Sequence, residues 1–166
     1  MGISVILVNA APGKRMRLYS PKALIKIGNE ILIDKQIKAI NKVFKNIDKE
    51  IIVVAGFKED KLTKKLTKDI KVVRNLDWDK TNVAYSIGLG MAHAYYNQTL
   101  IIYGDILFNH KILDFPLEES LTLYSKDNRN TIGVNVTNDY VNILSYGLDT
   151  SWAHILYLCV EASPQF

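Results

Sequence analysis

Carboxylates are missing from the start of this 166-residue chain: no Asp or Glu precedes Glu30, although Lys14, Arg15, Arg17, Lys22 and Lys26 fall in the same stretch. Cysteine is almost as scarce. The single Cys159 excludes an internal disulfide and a Cys-rich zinc site, and a buried, inert thiol is expected. No apolar run approaches the roughly 18 residues of a membrane helix, and the N-terminus lacks the basic start, long apolar stretch and cleavage site of a secretory leader. No membrane association and a cytoplasmic location are therefore expected. His93, His110 and His154 are scattered without metal-ligand spacing, and no Ser-His-Asp, Cys-His or paired-carboxylate pattern is present. The net charge of +4 is modest and clustered. It argues for an anionic ligand rather than duplex DNA, and aromatics are not interleaved with the basic cluster as nucleic-acid stacking would require.

What the chain does have is a run of strand length, Val5 to Val8, feeding into Asn9-Ala10-Ala11-Pro12-Gly13-Lys14-Arg15-Met16 and then Ser20-Pro21-Lys22-Ala23-Leu24. A cationic turn at the carboxyl end of a buried strand can gather phosphate oxygens, with Gly13 permitting close backbone approach and free N–H groups as donors. A solvated basic loop is the plainer reading of the same residues. Two better-known phosphate loops fail: Gly13-Lys14 is followed by Arg15 rather than Ser or Thr, and Ala11 and Met16 stand where a dinucleotide fingerprint needs glycines.

At about 166 residues the length fits one domain. Ile33, Ile37, Ile40 and Val43/Phe44 recur at helical spacing, with Lys35, Lys38, Lys42 and Lys45 on another, solvated face. Ile51 to Ala55 is a continuous apolar run ended by Gly56, suited to a strand buried on both faces. A short charged helix near 59–66, a strand at 70–73, a helix near 83–95 and a strand at 100–103 follow. This alternation predicts right-handed crossovers and a doubly wound sheet. In the 83–95 helix, Ala84, Ile87, Met91 and Ala94 are expected to share the packed side. Gly88 and Gly90 each cost about 1 kcal/mol relative to Ala, which predicts close packing of that helix on the sheet.

Ligands of open α/β sheets lie beyond the carboxyl ends of the strands, where three motifs converge. The first is the N-terminal loop. The second is Thr81-Asn82-Val83-Ala84-Tyr85-Ser86, in which Asn82 is a good N-cap, so simple capping is one reading. The third is Tyr103-Gly104-Asp105, where Asp105 either caps the next turn or offers a hard oxygen ligand to a cation. Trp78, between Asp77 and Asp79, could combine with Tyr85 into a cage for a quaternary ammonium, or could simply anchor a surface loop. Asn135, Asn138 and Asn142 are available, without specificity, to bind sugar hydroxyls.

The N-terminal loop resembles the opening motif of the NTP-transferase family, the sugar-phosphate nucleotidyltransferases and their phosphocholine cytidylyltransferase-like members. That motif runs from an apolar strand through Ala-Ala-Gly-x-Gly-x-Arg-Met/Leu to Pro-Lys-x-Leu. Ala10, Gly13, Arg15, Met16, Pro21, Lys22 and Leu24 match it, while Asn9 and Ala11 replace an Ala and a Gly. The resemblance implies a Rossmann-like doubly wound mixed α/β sheet in three α/β/α layers, GT-A-like. It implies nucleotide contacts at Asn9, Ala10, Ala11, Gly13, Lys14, Thr81, Asn82 and Ser86, catalytic phosphate contacts from Arg15 and Lys22, and a Mg2+ ligand at Asp105. The implied reaction moves an NMP from an NTP, with CTP or UTP expected, to a sugar phosphate or phosphocholine-like acceptor and releases pyrophosphate. The segments 146–148 and 152–158 look like the family's acceptor side. Beyond them the usual C-terminal part is missing, so the expectation is one incomplete domain over 1–166, with a second metal ligand from elsewhere and a homodimer as one arrangement that completes the site. A catalytically incomplete nucleotide-binding or regulatory module of the same fold is the competing expectation.

Overall fold

The computed structural model describes residues 2–13, 20–127 and 132–159. Four parallel strands form its centre: β1 (Gly2–Asn9), β4 (Asp48–Ala55), β5 (Lys71–Arg74) and β6 (Gln98–Tyr103). The short β2 (Lys26–Ile27) and β3 (Glu30–Ile31) pair with each other just before helix α1 (Leu32–Val43). Helices α2 (Glu59–Thr63) and α3 (Val83–Ala92) fill the connections between the later parallel strands. Two antiparallel strands, β7 (Leu121–Ser125) and β10 (Ser151–Cys159), extend the sheet to the order β5, β4, β1, β6, β10, β7. The expected doubly wound mixed sheet is present.

The strands of the parallel centre are buried on both faces because their sequences offer an apolar side chain to each. Ile3, Val5 and Leu7 of β1 pack with Ile33 and Ile40 of α1, Phe44 at its C-terminal cap and Leu62 of α2 on one side. Ile6 joins Ile52, Val54 and Ile101 on the other, under Ile87 and Leu89 of α3. This gives the three layers. The charged face of α1 is wet as expected, with Lys38 and Lys35 paired to Glu30. Cys159, expected to be buried, is only partly so, at the end of β10 where it packs against the rim of the core.

Helix α3 corrects two details. Its buried positions are Ser86 and Gly90, while Ala84 is exposed and Met91 is 39% exposed. The reason is backbone proximity: a Cβ on Gly90 would lie 2.6 Å from Ile6 Cγ2 and 3.0 Å from Val54 Cγ2. Gly88, also expected to face the sheet, meets nothing within 4 Å. Opposite effects follow from the same substitution. Gly88→Ala should stabilise by about 0.5–1 kcal/mol through helix propensity. Gly90→Ala should destabilise by about 1–3 kcal/mol through overpacking. Urea melts of the two variants check this; equal shifts would show that α3 does not sit on the sheet as described.

Beside the main sheet, β8 (Ile132–Thr137) and β9 (Tyr140–Tyr146) form a separate hairpin. Asn138 and Asp139 make its two-residue turn, with φ of 52° and 65°. Positive φ at both positions is what a type I′ hairpin turn requires, and Asn and Asp tolerate it. The carbonyl and N–H of Val134 bond the Thr150 hydroxyl, tying β8 to the body.

Candidate nucleotide site

The chain leaves β1 toward β4 on one side, and after β5 returns across the sheet to β6 on the other. The crevice between the carboxyl ends of β1 and β6 is therefore the topological switch point, where ligands of such sheets bind. A cavity of about 260 Å³ opens there, lined by Asn9, Ala10 and Ala11 after β1, by Thr81, Asn82 and Ser86 at the start of α3, and by Gly104 and Asp105 after β6. A second space of about 710 Å³ adjoins it, sharing Ala11, Lys22, Trp78, Thr81 and Asp105 and adding Gly13, Ile25, Ile27, Leu32 and Leu107. Three motifs far apart in sequence thus meet at one place.

Lys22 opens a single 3-10 turn, Lys22–Leu24, which Pro21 starts with its extended φ and ψ of −52° and 140°. Ala23 is fully buried and fixes the turn beneath α1, and the Leu32 N–H bonds the Ile25 carbonyl to close the loop. Held this way, the Lys22 ammonium lies 2.6 Å from Asp105 Oδ2. Both side chains keep access to the cavity, being 27% and 41% exposed.

Asp105 is positioned from behind by a residue that sequence reading passed over. Gln36, 1% exposed on the otherwise apolar face of α1, donates from Nε2 to the carbonyls of Tyr103 (3.2 Å) and Ile106 (2.8 Å), which bracket the Gly104-Asp105 turn. A lone amide among isoleucines at helical spacing was the available signal. Gly104 is required by contact: a Cβ there would stand 1.8 Å from Asn9 Oδ1. Asn9 is 8% exposed, and its Nδ2 has no hydrogen-bond partner among the described residues although the side chain lines the cavity. A buried donor left unpaired costs about 1–3 kcal/mol, so a ligand acceptor there would be well rewarded.

The α3 side is organised by Asn75, also missed. It is 2% exposed, and its Nδ2 donates to Thr81 Oγ1 (2.9 Å) and Ser86 Oγ (3.0 Å), while its Oδ1 accepts from the Asp77 N–H. Asn82 accepts from the Tyr85 N–H at 3.0 Å, so the capping reading of that residue holds and the same residue also lines the cavity. Lys14 and Arg15 lie outside the described residues.

The remaining expectations are corrected. Trp78 lines the cavity, but its ring packs edge-on against Phe57 at 5.3 Å, whereas Tyr85 is 49% exposed and lines neither space; no cage forms between them. The first turn of α3 points Tyr85 outward. Asn135, Asn138 and Asn142 sit on the β8–β9 hairpin and line neither space. Tyr103 does line the cavity, and its ring packs with Trp152 and His154, which line neither space, at centroid distances of 5.0 to 5.4 Å. His154 has φ of 60° at an irregularity of β10. Burial pushes its imidazole below the usual range, and the Asp105 carboxylate partly opposes this. Burial raises the Tyr103 phenol, and Asp105 adds to the rise.

The profile of the MobA-like NTP transferase domain matches residues 5–129, which include the β1 loop, Lys22, the Thr81–Ser86 segment and Asp105. The chain belongs to this family. A sequence search of curated proteins gives no match. Solved structures similar to this NTP transferase domain include a CTP:phosphocholine cytidylyltransferase of Streptococcus pneumoniae, 22% identical, with 96% of this chain and 72% of that one covered at a TM-score of 0.71. The inositol-1-phosphate CTP transferase of T. maritima is 18% identical over 93% of this chain and 69% of that one, TM-score 0.72. A glucose-1-phosphate thymidylyltransferase of Bacillus anthracis, described as putative, is 14% identical over 95% and 71%, TM-score 0.74. At these identities the likeness speaks for the fold. Among the described residues no helix is long and apolar enough to cross a membrane.

The one carboxylate among the described residues of the smaller cavity is compatible with a magnesium ion completed by substrate. Mg2+ is commonly held by one or two carboxylates together with substrate phosphates, and Asp105 offers one carboxylate at the cavity rim, 41% exposed. Among the described residues no group of three His, Cys, Asp or Glu could hold a metal by itself, so the other ligands would be phosphate oxygens and water.

Proposed function

We propose that this NTP transferase domain moves a nucleotidyl group from CTP or UTP to a small phosphorylated acceptor, a sugar phosphate or a phosphocholine-like molecule, with release of pyrophosphate. The observation that supports this best is the convergence of Lys22 and Asp105 at 2.6 Å on the switch-point cavity. In the proposed reaction an acceptor phosphate oxygen attacks the α-phosphorus. A new P–O bond forms there as the α–β bridging P–O bond breaks, and its electron pair leaves with pyrophosphate. An anionic nucleophile needs no general base, so the work is positioning and charge neutralisation. Asn9, Ala10 and Ala11 would cradle the nucleotide with Thr81, Asn82 and Ser86, and Lys22 and Arg15 would face the phosphates. Mg2+ at Asp105, when bound, would supply charge neutralisation at the phosphoryl oxygens. The acceptor would lie toward Tyr103, which lines the cavity and whose ring is backed by Trp152 and His154.

A second reading, a nucleotide-binding module without turnover, draws on Asp105 being the sole carboxylate among the described residues lining the smaller cavity. Thermal shift with CTP, UTP, ATP, GTP and dTTP, with and without Mg2+, tests binding. Pyrophosphate release with phosphocholine and sugar 1-phosphates tests transfer. A nucleotide at about 100 times its dissociation constant should stabilise by roughly 2.7 kcal/mol, several degrees at this size. A selective, Mg2+-dependent shift with pyrophosphate release is expected. A shift without pyrophosphate would favour the binding module, and no shift from a chain that melts cooperatively would remove both.

A further inference from the structure

Among the described residues Trp78 is the one aromatic residue that lines both spaces of the crevice. It is partly exposed, and its place is fixed from three directions. The Asp77 N–H donates to Asn75 Oδ1 (3.1 Å), and the Asp77 carbonyl accepts from the N–H groups of Lys80 (3.0 Å) and Thr81 (2.9 Å), so Trp78 stands in a closed turn. Gly56 lets that turn come close, since a Cβ there would lie 2.6 Å from Trp78 Cβ. The indole meets the Phe57 ring at 5.3 Å and an interplanar angle of 71°, and the Phe57 N–H bonds the Ala10 carbonyl (2.8 Å), which ties the aromatic pair to the loop after β1. A T-shaped contact sets the edge of one ring against one face of the other, so Phe57 leaves at least one face of the indole uncovered.

We infer that the nucleobase stacks on Trp78, an inference that rests on the nucleotide reading of the crevice. Charge orients the ligand this way. The Lys22 ammonium draws phosphate to its part of the crevice, whereas Trp78 lies between two carboxylates: Asp77, paired with Lys80 at 3.7 Å, and Asp79, which lines the second space. Phosphate is repelled beside Asp79 and an uncharged base is not. The neighbours agree, because in the smaller cavity Trp78 shares the wall with Ala10, Ala11, Thr81, Asn82 and Ser86. Rigidity agrees as well: a ring already held by Phe57 and a closed turn loses little freedom when a ligand is laid against it. Every base has a π face, so this contact positions the nucleoside without choosing among bases.

Calorimetry with CTP and UTP in the presence of Mg2+ tests this on the whole chain. Trp78→Leu keeps an apolar side chain against Phe57 but no π face, and it should weaken nucleotide binding about tenfold or more. Trp78→Phe keeps a ring and should recover most of the affinity. Because substitution of a half-buried Trp could cost the fold, fluorescence of Trp152→Phe is the second measurement; it leaves Trp78 as the sole indole of the chain. Nucleotide should quench that emission saturably, with the midpoint that calorimetry gives. Equal nucleotide affinity in Trp78→Leu, a Phe variant no better than the Leu variant, or emission that bound nucleotide leaves unmoved would overturn the inference while the nucleotide reading stands. Quenching by phosphocholine but not by nucleotide would overturn it too, with a cation over the indole in place of a base. Absence of nucleotide binding to the unmutated chain would remove both readings.

Discussion

Lys22→Ala should lower turnover by two or more orders of magnitude while leaving the melting temperature within a few degrees. The two halves of this expectation rest on different physics. As a structural contact the Lys22–Asp105 pair is 27% and 41% exposed, and partly solvated pairs contribute about 1 kcal/mol or less. At this chain length that is roughly 2–4 °C. As a catalytic group Lys22 would face charge developing on the transferred and leaving phosphates in a partly enclosed cavity. Losing about 3 kcal/mol of transition-state stabilisation corresponds to a factor above 100. The loss should fall mainly on kcat, because the interaction strengthens as the reaction proceeds. Lys22→Arg separates charge from shape: it keeps the cation but replaces a compact ammonium with a planar fork, and intermediate activity is expected. Initial rates of pyrophosphate release and a melt of each variant suffice. Near-normal turnover in Lys22→Ala would remove Lys22 from the reaction and leave its ion pair as surface electrostatics.

The elements that could be read from sequence are those whose local pattern and tertiary role agree. Val5–Val8 and Ile51–Ala55 are apolar at every position because both faces of a central parallel strand are covered, and each appears in the fold as a core strand. Strands β7 to β9 carry no such run, and the one in β10, Ile155 to Cys159, lies in an antiparallel strand. The places of β7 and β10 depend on antiparallel partners distant in sequence, and in β10 on an irregularity with His154 at φ 60°, which no local pattern announces. The candidate site divides in the same way. Asp105 stood out because a carboxylate after Gly104 ends an apolar strand, and Lys22 because Pro21-Lys22-Ala23-Leu24 matches the motif that the chain resembles. Their neighbours did not, since Gln36 and Asn75 act through bonds to residues 67 and 6 to 11 positions away. The Trp78 and Tyr85 cage failed for a related reason. Closeness in sequence does not fix direction, and the Phe57 ring holds Trp78 on the cavity wall while the first turn of α3 turns Tyr85 to solvent.

Asp105→Asn tests the metal assignment with little disturbance of shape. The amide matches the carboxylate in volume but loses the charge that would hold Mg2+, so activity should fall at least a hundredfold and its response to Mg2+ should disappear. Stability should change little, because water can solvate the 27%-exposed Lys22 side chain once its partner is neutral. A second readout needs no turnover. The Asp105 charge raises the affinity of both His154 and Tyr103 for their protons, against burial at His154 and along with burial at Tyr103. Removing that charge disfavours the imidazolium and relieves the phenolate. Both pKa values should therefore move down, His154 further from its ordinary value and Tyr103 back toward its own. Proton NMR of the imidazole and ultraviolet titration of the phenol report the two shifts separately. A variant that keeps its turnover and its Mg2+ dependence refutes Asp105 as the metal ligand. Unmoved titrations would show instead that the carboxylate does not face Tyr103 and His154, and the acceptor would then have to be sought on the Trp78 side of the crevice.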